Sequence, residues 1–246
     1  MQRNAVVIED DPEIRQLLEE ILTSAGFSVI AVSNGIDGVR AVAETSPEIT
    51  TVDVSMPGID GFETTRRIRQ VSDSYVFFIT ARSDEIDVLQ GLEIGADDFI
   101  TKPFRPRELR ARIDAMLRRP RAMGVAAEAE SPAEPSGEDW LRHNGLEVSP
   151  GQRRVFADGV EIELTRSEFN LLLALMQSGS RVRGKAELAE LLRGDGFTGY
   201  FIGEHDKRAV EVHVANLRKK LGENTSVPRW IETVRGVGYR LTPPRD

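Results

Sequence analysis

The feature that most constrains the fold is a fivefold alternation of short apolar runs and amphipathic stretches in the first half of the chain. The apolar runs cover residues 5–8, 29–32, 49–54, 76–80 and 99–101. Patterns of helical period lie between and after them, near residues 12–24, 35–44, 61–71, 84–93 and 106–119. A strand followed by a helix packs back onto a parallel sheet. The alternation therefore predicts a doubly wound, flavodoxin-like α/β domain with a five-stranded parallel sheet.

The second half of the chain has a different pattern. A stretch rich in Ala, Glu, Pro, Gly and Ser (residues 121–139) has no apolar periodicity and predicts a flexible linker. Beyond it come short alternating strands, a helix opened by a capping box at Thr165 and Glu168, and helices near 184–193 and 207–221. The chain closes with two strand-like runs around a Gly-rich turn. This order is typical of an α+β winged helix-turn-helix domain.

These patterns predict three segments, namely an α/β domain over residues 1–119, a linker over 120–139 and a winged helix-turn-helix domain over 140–246. Charge divides the chain in the same way. Residues 1–120 hold 14 Lys and Arg against 21 Asp and Glu, whereas residues 141–246 hold 17 against 14. An acidic front and a mildly basic back indicate different partners for the two halves.

Composition also limits the setting in which the chain works. The chain contains no cysteine, which excludes disulfides and thiolate metal sites and fits a reducing cytosol. Its first apolar run has only four residues before three acids, which is too short for a signal peptide or a membrane span. We therefore expect a cytoplasmic protein with no membrane partner.

Polar side chains follow the predicted strands of the first half. Glu9 and Asp10 come after the first strand, Asp53 ends the third, Thr80 ends the fourth, and Lys102 follows the fifth. The carboxyl ends of parallel strands meet at one edge of the sheet. Three carboxylates gathered there would need a hard cation such as Mg²⁺. A carboxylate can also attack phosphorus, and Mg²⁺ and an ammonium group would stabilise that transfer.

The segments VVIEDDPEI, VDVSMPGIDGFE, FFITARSDE and GADDFITKPFRPREL resemble the receiver domain of two-component response regulators, over essentially all of residues 1–119. The resemblance implies that a sensor histidine kinase phosphorylates Asp53. It implies that Mg²⁺ is bound by Glu9, Asp10, Asp53 and the backbone carbonyl of Ser55. It also implies that the chain is no enzyme beyond assisting its own phosphorylation and dephosphorylation.

The same resemblance assigns the residues that read the phosphoryl group. Thr80 and Lys102 would contact the phosphoryl oxygens, and Phe99 occupies the family's switch position, from which it would rotate inward when Thr80 moves. Lys102-Pro103 matches a peptide bond that is usually cis in the family.

The second half resembles the winged-helix effector domain of the OmpR/PhoB type, through LTRSEFNLLLAL, VEVHVANLRKKLGE and IETVRGVGYRL over about residues 141–243. The third helix would enter the major groove of promoter DNA with its core stripe at Val210, Val214, Leu217 and Leu221 turned inward. Asn216 is the best candidate for a base contact, because Asn can pair bidentately with adenine. The full set of expected DNA contacts is Lys207, Arg208, Asn216, Arg218, Lys219, Lys220 and Arg235.

Two further surfaces follow from the resemblance. The segment 194–208 precedes the recognition helix, where relatives often touch RNA polymerase. Relatives also dimerise through the fourth helix, fifth strand and fifth helix of the receiver, using charge pairs. Val88 stands where a basic residue is common, so the pair with Glu108 is not expected. The matching residues are Asp97, Asp98, Glu108, Arg112 and Arg119.

Two alternatives stay open at this stage. One is a receiver whose output no longer depends on phosphate, which would make the chain a DNA-binding protein that is constitutively paired or is regulated by another ligand. The other is a phosphatase-like hydrolase with an Asp nucleophile. Such enzymes carry a second acid two residues after the nucleophile, where this chain has Ser55.

Overall fold

The computed structural model of the chain describes residues 3–81, 85–117, 140–193 and 202–245. The N-terminal domain alternates strands and helices as predicted. Its sheet is parallel throughout, in the order β2-β1-β3-β4-β5. The elements are β1 (Arg3–Ile8), α1 (Pro12–Ser24), β2 (Phe27–Val32), α2 (Gly35–Thr45), β3 (Ile49–Asp53), α3 (Gly61–Arg69), β4 (Tyr75–Thr80), α4 (Glu85–Ile94), β5 (Asp98–Thr101) and α5 (Pro106–Leu117).

Local sequence signals explain where the helices of this domain begin and end. Asp11 caps α1, since its Oδ1 accepts hydrogen bonds from Glu13 N at 2.8 Å and Ile14 N at 3.1 Å. Pro12 occupies the first helical position, where a missing N–H costs nothing. Gly26 follows α1 with φ +89°, a left-handed conformation that glycine adopts without strain.

Helices cover both faces of the parallel sheet, so its two faces are buried. One apolar cluster lies under α1 and α5, and includes Leu22 and Ile113. The other lies under α2, α3 and α4, and includes Val42 and Ile68. All six residues of β4 are buried. With both faces covered by helices, charged side chains gather at the ends of the strands, and the carboxyl ends carry the candidate site.

The C-terminal domain has the predicted winged helix-turn-helix architecture. A four-stranded antiparallel sheet (β6-β7-β8-β9) precedes three helices, and a three-stranded sheet in the order β10-β12-β11 forms the wing. The elements are β6 (Leu141–His143), β7 (Leu146–Ser149), β8 (Arg154–Ala157), β9 (Val160–Glu161), α6 (Arg166–Ser178), β10 (Arg183–Gly184), α7 (Lys185–Arg193), α8 (Glu204–Leu221), β11 (Ile231–Val234) and β12 (Gly238–Leu241).

Two predictions about the helices of this domain are confirmed and one boundary is corrected. The capping box of Thr165 and Glu168 opens α6. The predicted core stripe of α8 is buried. The helix starts at Glu204, however, three residues before the predicted start. The reason is a cap of different chemistry, because Gly203 is the N-cap and its N–H donates to Asp206 Oδ2 at 2.8 Å.

The two domains are in contact: α8 packs along α4, and α7 lies beside α5. The predicted linker, residues 120–139, lies outside the described residues, so the domain boundaries stay a prediction. None of the helices in the described ranges combines the length and the apolar character that a membrane-spanning segment needs.

Candidate functional site

Three acidic side chains converge at the carboxyl edge of the parallel sheet. Glu9 and Asp10 follow β1, and Asp53 is the last residue of β3, the next strand in the sheet. Each offers a carboxylate oxygen, and these oxygens all lie within 4.8 Å of one another. Glu9 and Asp53 are buried, whereas Asp10 is exposed. This acidic pocket is therefore open to solvent on the side of Asp10.

Lys102 supplies the positive charge of this pocket. Its Nζ donates to Glu9 Oε1 at 2.8 Å and to Asp53 Oδ1 at 3.1 Å. The backbone places it there, since Lys102 N donates to the carbonyl oxygen of Thr80 at 2.7 Å. The following bond, Lys102-Pro103, is cis, as the family resemblance implies.

The surroundings raise the pKa of Glu9, Asp53 and Lys102. Burial raises the pKa of Glu9 to about 6, and the charge of Asp53 adds to the rise against the hydrogen bond from Lys102. Burial likewise raises the pKa of Asp53. Burial lowers the pKa of Lys102, but its hydrogen bond to Glu9 and the charge of Asp53 outweigh that effect, so the pKa is raised overall. One ammonium thus does not fully compensate the carboxylates around it.

The remaining oxygen of Glu9 shows where a cation would fit. Among the described residues, Glu9 Oε2 is buried and accepts no hydrogen bond. A buried carboxylate oxygen without a donor is costly, and a bound ion is one of the ordinary explanations. Together with Asp10 and Asp53, this oxygen makes an all-oxygen donor set, which suits a hard divalent cation such as Mg²⁺.

The other residues expected at the receiver site lie around this pocket. Thr80 ends β4 and is buried, and Ser55 is exposed two residues beyond Asp53. Phe99 is half-buried and packs against the cluster that contains Phe78. The structure thus brings the metal and phosphoryl candidates to the carboxyl end of the sheet and places Phe99 beside Phe78, two residues before the end of β5. The roles of all these residues stay predictions.

The expected dimer surface is engaged within one chain. Arg112 Nη1 donates to both carboxylate oxygens of Asp98 at 3.0 Å, and Arg112 Nη2 donates to Glu108 Oε1 at 3.1 Å. The Asp97 side chain is buried as well. Arg119 lies outside the described residues. No pairing between two copies follows from this arrangement, so the dimer surface stays a prediction.

Two residues predicted to contact DNA are occupied elsewhere. Asn216 Nδ2 donates to the carbonyl oxygen of Leu92, at the end of α4, at 3.0 Å. Arg218 Nη2 donates to Ile231 O at 2.7 Å and to Thr233 Oγ1 at 2.8 Å. Arg218 therefore braces the wing in this conformation, because it lies on the side of α8 that faces β11.

The other basic candidates lie closer to solvent. Lys207 and Lys220 form ion pairs within the C-terminal domain, with Glu204 and Glu168, both at 2.7 Å. The remaining candidates are exposed, and they are Arg208, Lys219 and Arg235. Contact between these three side chains and the phosphates of DNA stays a prediction.

Comparison with known proteins matches both halves of the chain. Residues 5–114 match the family of response regulator receiver domains, and residues 159–241 match the C-terminal domain of transcriptional regulatory proteins. Over 240 residues the chain is 39% identical to the transcriptional regulatory protein AfsQ1 of Streptomyces coelicolor, which covers 98% of both chains. The chain is an OmpR/PhoB-type response regulator. This response regulator is also 34% identical to PhoP of Bacillus subtilis, the alkaline phosphatase synthesis transcriptional regulatory protein, over all of its own length and 99% of that protein.

A solved structure supports the fold of this response regulator as a whole. A mutant of RitR aligns with a TM-score of 0.71 at 20% sequence identity, covering 98% of this chain and 99% of the other. The alignment spans both domains. The relatives are transcriptional regulators, so the hydrolase alternative has no support from them.

The sequence does not reveal the residues of the response regulator that join its domains, among them Tyr75, Arg166, Ser167, Asn170 and His213. Each lies in an ordinary strand or helix pattern, and Ser167 lies inside a capping box. No local signal separates them from residues that serve their own domain alone.

Proposed function

We propose that phosphoryl transfer from a sensor histidine kinase to Asp53 switches this two-component transcriptional regulator to its DNA-binding form. The observation that carries the proposal is the bridge from Lys102 to Glu9 and Asp53, beside the buried Glu9 oxygen that has no donor among the described residues. A nucleophile, a counter-charge and an oxygen donor set for a cation share one open pocket. This combination fits phosphoryl transfer better than a structural role.

The transfer is a single displacement at phosphorus. An oxygen of Asp53 attacks, the bond from phosphorus to the kinase histidine breaks, and the imidazole leaves. Lys102 moves from the Asp53 carboxylate to a phosphoryl oxygen, and the Thr80 hydroxyl donates to another. Glu9, Asp10, Asp53 and the carbonyl of Ser55 would hold Mg²⁺, which neutralises charge on the phosphoryl oxygens.

Phosphorylation then promotes pairing of two chains. We propose that the surface formed by α4, β5 and α5 supplies the contacts, through Asp97, Asp98, Glu108, Arg112 and Arg119. Pairing makes the second half-site contact on promoter DNA intramolecular, which raises the effective concentration of the second domain. The segment 194–208, mostly outside the described residues, is where we propose that RNA polymerase is contacted. We propose that the protein works in the cytoplasm, where it would meet these partners.

Beryllofluoride tests the function as a whole, since it forms a phosphoryl mimic on an aspartate only when the cation site works. With Mg²⁺ and beryllofluoride, the chain is expected to elute from size-exclusion chromatography as a dimer, and to bind duplex DNA more tightly in fluorescence anisotropy. Magnesium alone serves as the control. A chain that elutes and binds DNA identically under both conditions would favour output that is independent of phosphate.

Glu9→Gln tests the cation site without removing the phosphoacceptor. The amide keeps an oxygen but loses the charge, so we expect Mg²⁺ affinity to fall by about 10- to 100-fold, or about 1.4–2.8 kcal/mol. Isothermal titration calorimetry with Mg²⁺ measures this directly. Glu13→Gln is the matched control, because Glu13 is exposed in the first turn of α1 and lies outside the pocket. Equal affinity in Glu9→Gln and the wild type would remove Glu9 from the site.

A further inference from the structure

Asp97 joins the two domains through both its side chain and its backbone. Its Oδ2 accepts from Arg69 Nη2 at 2.6 Å and from Val76 N at 3.0 Å, which are contacts within the receiver. Its Oδ1 accepts from Ser167 N, in the first turn of α6, at 2.9 Å. Its backbone oxygen makes a hydrogen bond of 3.1 Å with Nε2 of His213, a buried residue of α8. One receiver residue thus contacts two helices of the DNA-binding domain.

The Asp97 carboxylate lies at the N-terminus of α6, the end of a helix that favours an anion. The first backbone N–H groups of a helix have no partner within it, and the helix dipole is positive there. Thr165 already serves Glu168 N through its Oγ1, which leaves the N–H of Ser167 for Asp97. Asp97 is only 4% exposed, so this charge is held away from water by the docked domain. The receiver therefore supplies part of the cap of α6.

A second set of contacts surrounds this bond. Arg166 Nε donates to the carbonyl oxygen of Asp73 at 3.1 Å, and its guanidinium lies 5.4 Å from the centre of the Tyr75 ring. Asn170 Nδ2 donates to Tyr75 Oη at 3.0 Å. Arg166 and Asn170 lie one turn apart on α6, so the same side of that helix faces the start of β4.

The predicted recognition helix, α8, belongs to the same interface between the domains. Ala209 and Val212 of α8 pack against the receiver cluster that Phe99 also packs against. One turn further, Asn216 donates to Leu92 O. The side of α8 that carries the best candidate for a base contact is thus covered by α4, and DNA cannot reach it while the domains are docked.

We infer that Asp97 is a latch that holds the unphosphorylated chain in a closed, DNA-excluding form, and that docking and dimerisation compete for it. The inference rests on the proposed function, because Asp97 also belongs to the surface proposed for pairing. When Asp97 caps α6 of its own chain, it is buried and unavailable to a second receiver. When two receivers pair, the cap is lost and α8 is released.

Removing the α6 side chains tests the latch without touching the recognition helix or the proposed dimer surface. The double variant Arg166→Ala, Asn170→Ala, made in the full chain without phosphorylation, is expected to bind a random-sequence duplex about tenfold more tightly, within the usual range of allosteric coupling. Its radius of gyration in small-angle X-ray scattering should increase. Gln177→Ala, an exposed position of the same helix, is the control and should change neither quantity.

Asp97→Asn is a second variant with a different chemical basis. An amide has one acceptor oxygen, and two donors from Arg69 and Val76 hold it on the receiver side. The amide nitrogen then faces the N–H of Ser167, and the two donors repel each other. We expect the unphosphorylated variant to open as the double variant does, but to dimerise less with beryllofluoride because its negative charge is gone.

The outcomes separate the latch from the proposed function. If both variants keep the wild-type radius of gyration, or open without any gain in DNA affinity, the latch is wrong. That result leaves the proposed function standing wherever beryllofluoride still tightens DNA binding by the wild type. If beryllofluoride changes nothing in the wild type while the variants gain affinity, the closed form is supported and phosphate control fails.

Discussion

Replacing Asp53 with Asn is expected to abolish phosphorylation of this response regulator. An amide oxygen is a far weaker nucleophile than a carboxylate, and the amide carries no charge with which to hold a cation. The variant should still fold, since Asn has nearly the same shape and Lys102 keeps its hydrogen bond to Glu9. Loss of one of two buried carboxylates that share one ammonium also relieves repulsion between them.

Labelled acetyl phosphate with Mg²⁺ measures the effect. The wild type should incorporate label and form dimers, while Asp53→Asn should show neither above background. Asp11→Asn is the matched control, because Asp11 is exposed, lies next to the acidic pair, and can be replaced by another good N-cap residue. Label on Asp53→Asn at the wild-type level would show that another residue is the acceptor.

The sequence predicts the receiver well because its signals are local. Each βα unit carries its own apolar run and caps, as at Asp11 and Gly26, and the rule that parallel strands share their carboxyl edge then brings Glu9, Asp53 and Lys102 together. The chemistry of the pocket therefore follows from order along the chain. No distant contact has to be known first.

The contact between the domains could not be predicted in this way. The bond from Ser167 N to Asp97 joins residues 70 positions apart, and that from His213 to Asp97 spans 116. A backbone N–H in a first helical turn looks the same in sequence whether water or a carboxylate accepts from it. The predicted start of α8 is also three residues late, because Gly203 is a weaker cap signal than Ser, Asn or Asp.

The same contact changes how the dimer surface is understood. Charge complementarity marks Asp97, Asp98 and Arg112 as residues for pairing, yet all three are engaged inside one chain. Exposed ion pairs are worth only about 0–1 kcal/mol each, whereas hydrogen bonds of buried charges contribute about 1.5–3 kcal/mol. On the proposed latch, we therefore expect the closed chain to be favoured, and phosphorylation of Asp53 to shift the balance toward pairing.

Gly61→Ala is expected to damage the phosphorylation site without altering any polar group in it. Gly61 is the first residue of α3, and its N–H donates to the carbonyl oxygen of Val54 at 3.1 Å. A Cβ at this position would lie 2.7 Å from Val54 Cα and closer still to the backbone oxygen of Asp53. Backbone atoms cannot rotate away, so the added methyl group must displace either α3 or the end of β3.

Two effects of opposite sign decide how far Gly61→Ala changes the stability of the receiver. Alanine is a better helix former than glycine by about 1 kcal/mol. Overpacking against a fixed backbone costs about 1–3 kcal/mol or more. We expect the clash to win, with the receiver destabilised by about 1–2 kcal/mol and Mg²⁺ affinity reduced by about tenfold, because Asp53 moves relative to Glu9 and Asp10.

Thermal unfolding of the receiver and calorimetric titration with Mg²⁺ test both parts of this prediction. Gly151→Ala is the matched control, since a Cβ there meets nothing within 4 Å and the position has no positive φ. A Gly61→Ala chain with the stability and Mg²⁺ affinity of the wild type would show that α3 can shift independently of Asp53. Lower stability with unchanged Mg²⁺ affinity would show that α3 moves and β3 stays, so that the geometry of the acidic pocket is set by the sheet alone.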